Sequence, residues 1–152
     1  MIIIGSDHAG VELKNKIIEY LAKKHIDTVD VVENNDMQDD YPDIALKICE
    51  NVLKDNSNMG IAICGTGIGI SIACNKVKGI RAALCTDAYM AEMCRKHNNA
   101  NILCLGAKLK NFNDNIESIV QAFLDNFYEA GRHERRILKI ENIEKLNTKD
   151  GI

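Results

Sequence analysis

Short apolar runs alternate along the chain with longer stretches in which apolar residues recur every three or four positions. Repeated five times, that alternation predicts strands separated by helices, and so a parallel sheet with helices on both faces. The runs place strands at 2–5 (IIIG), 27–32 (DTVDVV), 60–64 (GIAIC), 80–85 (IRAALC) and 101–105 (NILCL). Leu13, Ile17 and Leu21 mark one helix, and Ile44, Ile48 and Val52 another, opened by the sole proline, Pro42, where a helix start tolerates it. Asp87 is a candidate cap for a helix carrying Met90, Met93 and Cys94, and Ile116, Val120, Phe123 and Phe127 trace a further apolar stripe. A last helical pattern, with Ile137, Ile140 and Ile143, extends past the five βα units and packs either on a partner subunit or on its own sheet. The acidic loop ENNDMQDDYPD (33–43) is expected to be mobile and the tail from 147 to 152 frayed.

Length and charge narrow the function classes. A chain of 152 residues fits a single domain spanning 1–152, able to bury roughly two thirds of its unfolded surface. Nineteen basic against twenty-two acidic residues, with no long run of either sign, argue against a nucleic-acid or membrane-surface binder. The N-terminus MIIIGSDHAG has no signal-peptide pattern, and no apolar run reaches membrane-spanning length. Six cysteines without a CxxC pair, mostly in apolar segments, read as free thiols, so a cytoplasmic protein is expected.

In open parallel sheets ligands bind beyond the carboxyl ends of the strands, and chemistry-bearing turns are expected there. The first strand runs into GSDHAG, with Asp7 and His8, and the third ends at Cys64 and the turn GTGIG. KHNNAN places His97 and Asn98 just ahead of the fifth strand. Neither glycine turn is a nucleotide motif. A dinucleotide fingerprint needs glycine where Ile70 stands, and a P-loop needs lysine and a hydroxyl where Val11 and Glu12 stand. The turn from Gly65 to Gly69 instead offers closely spaced N–H groups at a helix start, suited to an oxyanion as well as to a phosphate. Cys64 beside it is either the end of a buried strand or a thiol activated by that helix start.

His25 ends a lysine-rich helix and needs no function. His8, His97 and His133 fall in polar turns, where acid–base work is the better use, because no local spacing suits a metal. Arg132 and Arg136, four apart in GRHERR, share a helix face if the last helix begins there. They form either a solvated basic helix start or a clamp for a dianionic phosphate.

With these pieces assembled, the sequence resembles the type B ribose-5-phosphate isomerases and the related galactose-6-phosphate isomerase subunits. The resemblance runs from about residue 1 to 146 through GSDHAG, DYPD, ICGTGIGISIACNK, GIRAAL, HNNANIL and GRHERR. It implies a Rossmann-like three-layer α/β/α sandwich with an extra C-terminal helix. It also implies an aldose–ketose isomerase acting on a phosphorylated sugar, as in the non-oxidative pentose phosphate pathway. On matching residues, Cys64 would move a proton between C2 and C1, while the backbone of Gly65, Gly67, Ile68 and Gly69 stabilises the enediolate with help from Thr66. His97 would open the sugar ring. Asp7, His8 and Asn98 would hold the sugar, and Arg132 and Arg136 the phosphate. Ile70 stands where one group of members has a glutamate base, so this chain resembles the cysteine-base group. Lys108 stands where many relatives have an arginine phosphate contact. The family implies no metal or cofactor, and active sites between the subunits of a homodimer, in some cases paired again. Allose 6-phosphate or galactose 6-phosphate as substrate, and a non-catalytic sugar-phosphate-binding module, are the rival readings.

Overall fold

A computed structural model of the chain describes residues 1–32, 40–109 and 115–147, so most of the acidic loop and residues 148–152 of the tail lie outside the described residues. Five strands, β1 (Ile2–Ser6), β2 (Thr28–Asp30), β3 (Met59–Cys64), β4 (Ala82–Leu84) and β5 (Ile102–Gly106), pair in the order β2-β1-β3-β5-β4, all parallel. Six helices connect and follow them: α1 (Val11–Lys23), α2 (Tyr41–Val52), α3 (Ile68–Cys74), α4 (Ala88–Asn98), α5 (Ile116–Asp125) and α6 (Glu134–Asn147).

The three inner strands are covered on both faces, which is why they read as continuous apolar runs. Their side chains divide by the two-residue period of a strand. Ile2, Ile4, Ile61, Ile63, Leu103 and Leu105 join the core beneath α1, α4 and α5, whereas Ile3, Ala62, Cys64, Ile102 and Cys104 join the core beneath α2 and α3. The expected three-layer sandwich results. All six cysteines are free and buried. Hydrogen bonds between neighbouring thiols, together with burial, push Cys49, Cys74 and Cys85 far above the ordinary thiol range, as suits core residues.

The differences from the sequence reading have local causes. Strands β2 and β4 are shorter than expected because they are the sheet edges, paired on one side only. Val32, placed in the second strand, gives its N–H to the Asp30 carboxylate (2.9 Å) instead of a strand partner. Phe127 does not continue the stripe of α5. The helix ends at Asp125, Asn126 is extended, and the Phe127 ring is 75 % exposed.

Two cationic side chains anchor the helices to the ends of the sheet. The Lys14 ammonium, buried under α1, pairs with Asp30 (2.7 Å) and donates to the Val32 carbonyl (2.5 Å), tying α1 to the carboxyl end of β2. The guanidinium of Arg95 donates to the carbonyls of Asn126 (3.2 Å) and Ala100 and lies over the Phe123 ring (5.4 Å). It thereby clamps the end of α4 against the start of β5 and the end of α5. Helix α6 touches its own chain just ahead of edge strand β4, where the Glu144 carboxylate accepts the Gly79 N–H (2.9 Å), and its Ile137 is buried. Leu138, Ile140, Ile143 and Leu146 on the same helix stay exposed. Among the described residues no helix is long and apolar enough to cross a membrane.

Candidate active site

The chemistry-bearing residues fall into two groups at opposite ends of the sheet. The first lies at the carboxyl ends of β1, β3 and β5, on both sides of the β1/β3 pair from which the strand order runs in opposite directions. Cys64 closes β3 in register with Gly106 of β5, and its Sγ accepts the N–H of Gly67 at 3.2 Å. Gly67 holds φ +76°, a left-handed conformation, and a Cβ there would meet Leu84 Cδ1 at 2.5 Å and the carbonyl carbon of Leu105 at 2.9 Å. Only glycine lets the turn fold back so tightly that its N–H reaches the sulfur.

Thr66 Oγ1 accepts the Ile68 N–H (3.4 Å), and Tyr41, at the start of α2, lies against Gly69 so closely that a Cβ would come within 2.7 Å of its ring. Lys108 joins this group. Its N–H bonds the Gly65 carbonyl (2.8 Å) and its side-chain stem passes over Gly65. Asp7 and His8 flank the turn from the first strand. The Asp7 N–H bonds the Ile63 carbonyl (3.2 Å), and its carboxylate caps a short 3-10 turn at His8–Gly10 by accepting the Ala9 N–H (2.9 Å). The structure thus brings together Asp7, His8, Cys64, Gly65, Thr66, Gly67, Ile68, Gly69 and Lys108. Helix α3 has only seven residues, so the donors at this turn are its individual N–H groups more than any long helix dipole.

The second group lies at the amino end. His97 is not in a turn ahead of the fifth strand, as the sequence reading has it, but in the last turn of α4, with Asn98 beside it and Asn99 as a left-handed cap (φ 49°). Helix α4 starts at the carboxyl end of β4 and runs back, so its own end lies by the first residues of β5. His97 stacks on His133, ring centroids 4.2 Å apart and planes 11° from parallel. His133 lies in a 3-10 turn (Gly131–His133) that precedes α6, and only Arg136 of the arginine pair is within the helix. Arg132 Nε donates to His133 Nε2 at 3.3 Å. Burial, then the fields of His97, Arg132 and Arg136, hold the buried His133 below the ordinary imidazole range.

The carboxyl-end location expected for all the turns therefore holds for the first group and fails for His97 and Asn98. The separation is large. Strand β5 has five residues, about 3.3 Å each, which puts roughly 16 Å between the two groups along the sheet. The resemblance implies that His97 acts at the ring oxygen and Cys64 at C2 of one furanose, both bonded neighbours of C1, so the two side chains would have to reach almost the same point. One chain does not offer that. Tyr41 and Glu129 touch the two groups, and His133 joins the second group from one of the three polar turns that carry a histidine. Tyr41 carries no signal beyond its place before Pro42, and Glu129 none.

Residues 2–140 match the model of the family described as Ribose/Galactose Isomerase. A solved ribose-5-phosphate isomerase B of Clostridium thermocellum is 47 % identical, with a TM-score of 0.91, the match covering 97 % of this chain and 99 % of that one. The ribose-5-phosphate isomerase B of Mycoplasma genitalium, solved with bound ribulose 5-phosphate, is 44 % identical with a TM-score of 0.87 and 95 % coverage of each chain. The Escherichia coli ribose-5-phosphate isomerase B is 38 % identical over 144 residues, 95 % of this chain and 96 % of that protein.

Proposed function

We propose, for a chain that belongs to the ribose/galactose isomerase family, that it interconverts ribose 5-phosphate and ribulose 5-phosphate, in sites shared between two copies. The observation that carries this reading is the Cys64 sulfur held at a strand end by the Gly67 N–H, inside a turn of further backbone donors. That is a proton-transfer group beside an oxyanion cradle, the pair an aldose–ketose isomerisation needs. The Mycoplasma genitalium relative with bound ribulose 5-phosphate supports the pentose as substrate.

In the proposed sequence of steps, His97 of one copy opens the furanose by delivering a proton to the ring oxygen as the anomeric hydroxyl loses one. Cys64 of the other copy, as thiolate, removes the C2 proton. The enediolate charge is met by the N–H groups of residues 65–69, with the Thr66 hydroxyl turning from Ile68 toward the substrate. The proton returns to C1, and the hydroxyl proton passes from O2 to O1. Asp7, His8 and Asn98 orient the sugar hydroxyls. Arg132, Arg136 and Lys108 hold the phosphate. Lysine supplies charge without the bidentate fork of arginine, so it contributes less directionality than the other two. Each step moves a proton to, from or within the substrate.

The exposed apolar residues of α6, Leu138, Ile140, Ile143 and Leu146, support a homodimer, in which each chain acts as one domain. Six free thiols suit a reducing compartment, which supports a cytoplasmic location. The test is turnover of ribose 5-phosphate by the purified chain, with allose 6-phosphate and galactose 6-phosphate alongside. Preference for the pentose is expected, and Cys64→Ala should lose at least about 10²-fold in kcat while still binding substrate. Preference for a hexose would overturn the substrate, and an active Cys64→Ala protein would overturn the mechanism.

A further inference from the structure

Among the described residues one group of side chains has the composition of a metal site, and it includes the proposed ring-opening histidine. His97, Glu129 and His133 each present a ligand-type atom, and these atoms all lie within 4.8 Å of one another. We propose that they bind a divalent transition ion of the zinc type, and that the bound ion inhibits the isomerase. The inhibition rests on the function proposed above; the binding does not.

The backbone builds this cluster from three separate pieces. His97 is fixed at the end of α4. The Glu129 N–H bonds the carbonyl of Lys96 (3.0 Å), which pins Glu129 next to His97. Ala130 and Gly131 then take positive φ in succession (53° and 55°), and the His133 N–H closes the turn on the Ala130 carbonyl (3.0 Å). This tight reversal returns His133 to the same face as Glu129. Alanine is rarely found at positive φ, so the turn is held there against a local cost.

Two imidazoles and one carboxylate with an open fourth position are a donor set that zinc accepts, and one that disfavours calcium and magnesium. Zinc–ligand bonds of about 2.0–2.1 Å at tetrahedral angles need donor atoms roughly 3.4 Å apart, so the cluster has to close by about an ångström. Glu129 can supply its share of that movement, and the stacked rings of His97 and His133 turn out of parallel to aim one nitrogen each at the ion, which lies in the plane of every imidazole that binds it. The Glu129 side chain is half exposed, and its contact with Lys96 is long at 4.0 Å, because Lys96 makes its short ion pair with Glu92 (2.5 Å).

Binding carries a consequence for the phosphate clamp. His133 Nε2 accepts from Arg132 Nε. An ion on Nε2 displaces that bond directly. An ion on Nδ1 displaces it too, because the ring proton must then move to Nε2. A filled site therefore takes His97 out of the ring-opening step and frees Arg132 from the hydrogen bond that orients it, so turnover falls while the ion is bound. The charges of Arg132 and Arg136 oppose the ion, and the Glu129 carboxylate is the group that offsets them.

The test uses the chelator-treated full-length chain, with cobalt(II) as a spectroscopic probe and zinc as the inhibitor. Wild-type protein should take up one cobalt per chain and show visible ligand-field bands that survive Cys64→Ser. Glu129→Gln should keep wild-type turnover in the absence of metal. Loss of a partner behind a metal ligand already costs about 10–100-fold in affinity, so loss of this ligand should weaken cobalt binding, and raise the zinc concentration for half inhibition, by at least about tenfold. His97→Ala should weaken cobalt binding as well. Cobalt binding that is unchanged in both variants, or abolished by Cys64→Ser, overturns the site. Zinc inhibition that persists undiminished in Glu129→Gln overturns the inhibitory role. A chain that binds cobalt through these residues yet isomerises none of the sugars leaves the site standing and removes the function.

Discussion

Replacing Cys64 with alanine in one preparation and His97 with asparagine in another should give two inactive proteins that restore each other. The two residues occupy opposite ends of the sheet. Cys64 closes β3 in register with Gly106, whereas His97 ends α4 beside the first residues of β5. Strand β5, five residues at about 3.3 Å each, and α4, eleven residues at about 1.5 Å each, both span about 16 Å, in opposite directions. Both lengths agree that the two side chains of one chain cannot meet on one sugar. If each site takes Cys64 from one copy and His97 from the other, a mixed dimer has one site with both residues intact and one with neither.

Random pairing of equal amounts makes half the dimers mixed, so the mixture should recover about a quarter of wild-type activity and the isolated mixed dimer about half. The parents should each lie at least about 10²-fold below wild type. Co-expression with two different affinity tags gives the mixed species directly and removes any dependence on subunit exchange. Turnover of ribose 5-phosphate is the assay. A mixed dimer no more active than its parents would refute the shared site, whatever the parents show individually.

Gly67→Ala should cost about 1–2 kcal/mol for the left-handed backbone, and more because its Cβ meets main-chain atoms of Leu105 and Gly106 that cannot yield. With the N–H turned from Cys64 Sγ, kcat should fall by about 10²-fold or more, and an unchanged kcat in a folded variant would refute the donor role. Lys14→Met leaves Asp30 without its buried partner, so unfolding in denaturant should show a loss of about 3 kcal/mol, with turnover of the folded protein retained; an unaltered midpoint would count against the anchor. His133 titrates below its usual 6.5 in the folded chain, so the unfolded chain takes up the proton first. Its contribution to stability is complete above pH 6.5 and is lost as the pH falls from there toward the folded value. Thermal unfolding of wild type should decline more steeply over that interval than that of His133→Gln, and parallel curves would refute the assignment.

The fold was legible because both of its signals are local. Five apolar runs bounded by helical stretches reproduce β1 to β5, and the same side-chain alternation assigns Ile2 and Ile4 to one core layer and Ile3 to the other. The errors fall where tertiary position decides. Whether 27–32 and 80–85 pair along their full length depends on being at a sheet edge, and edge position is not written in β2 or β4 themselves. Phe127 fits the helical period of α5, but Asn126 is extended and turns the chain toward Glu129 before the period can continue. The carboxyl-end group was legible too, since Asp7 directly follows β1 and Cys64 is the last residue of β3.

The amino-end position of His97, against the carboxyl-end expectation, has a cause that the sequence also contains. In a parallel sheet each helix returns the chain from the carboxyl to the amino end, so residues just before a strand and residues just after one lie apart however close their numbers. The two asparagines after His97 resemble a helix end, and Asn99 does take the left-handed cap conformation there. A helix extended through His97 necessarily puts it at the amino end, with Arg132, His133 and Arg136. Two incomplete groups at opposite ends of one sheet also limit how copies can pair. In the proposed homodimer a two-fold axis would set the carboxyl-end group of each chain against the amino-end group of the other, so both sites would form or neither. Activity per chain should therefore fall on dilution in step with dissociation of the dimer, as followed by light scattering, and a monomer at full activity would refute the pairing.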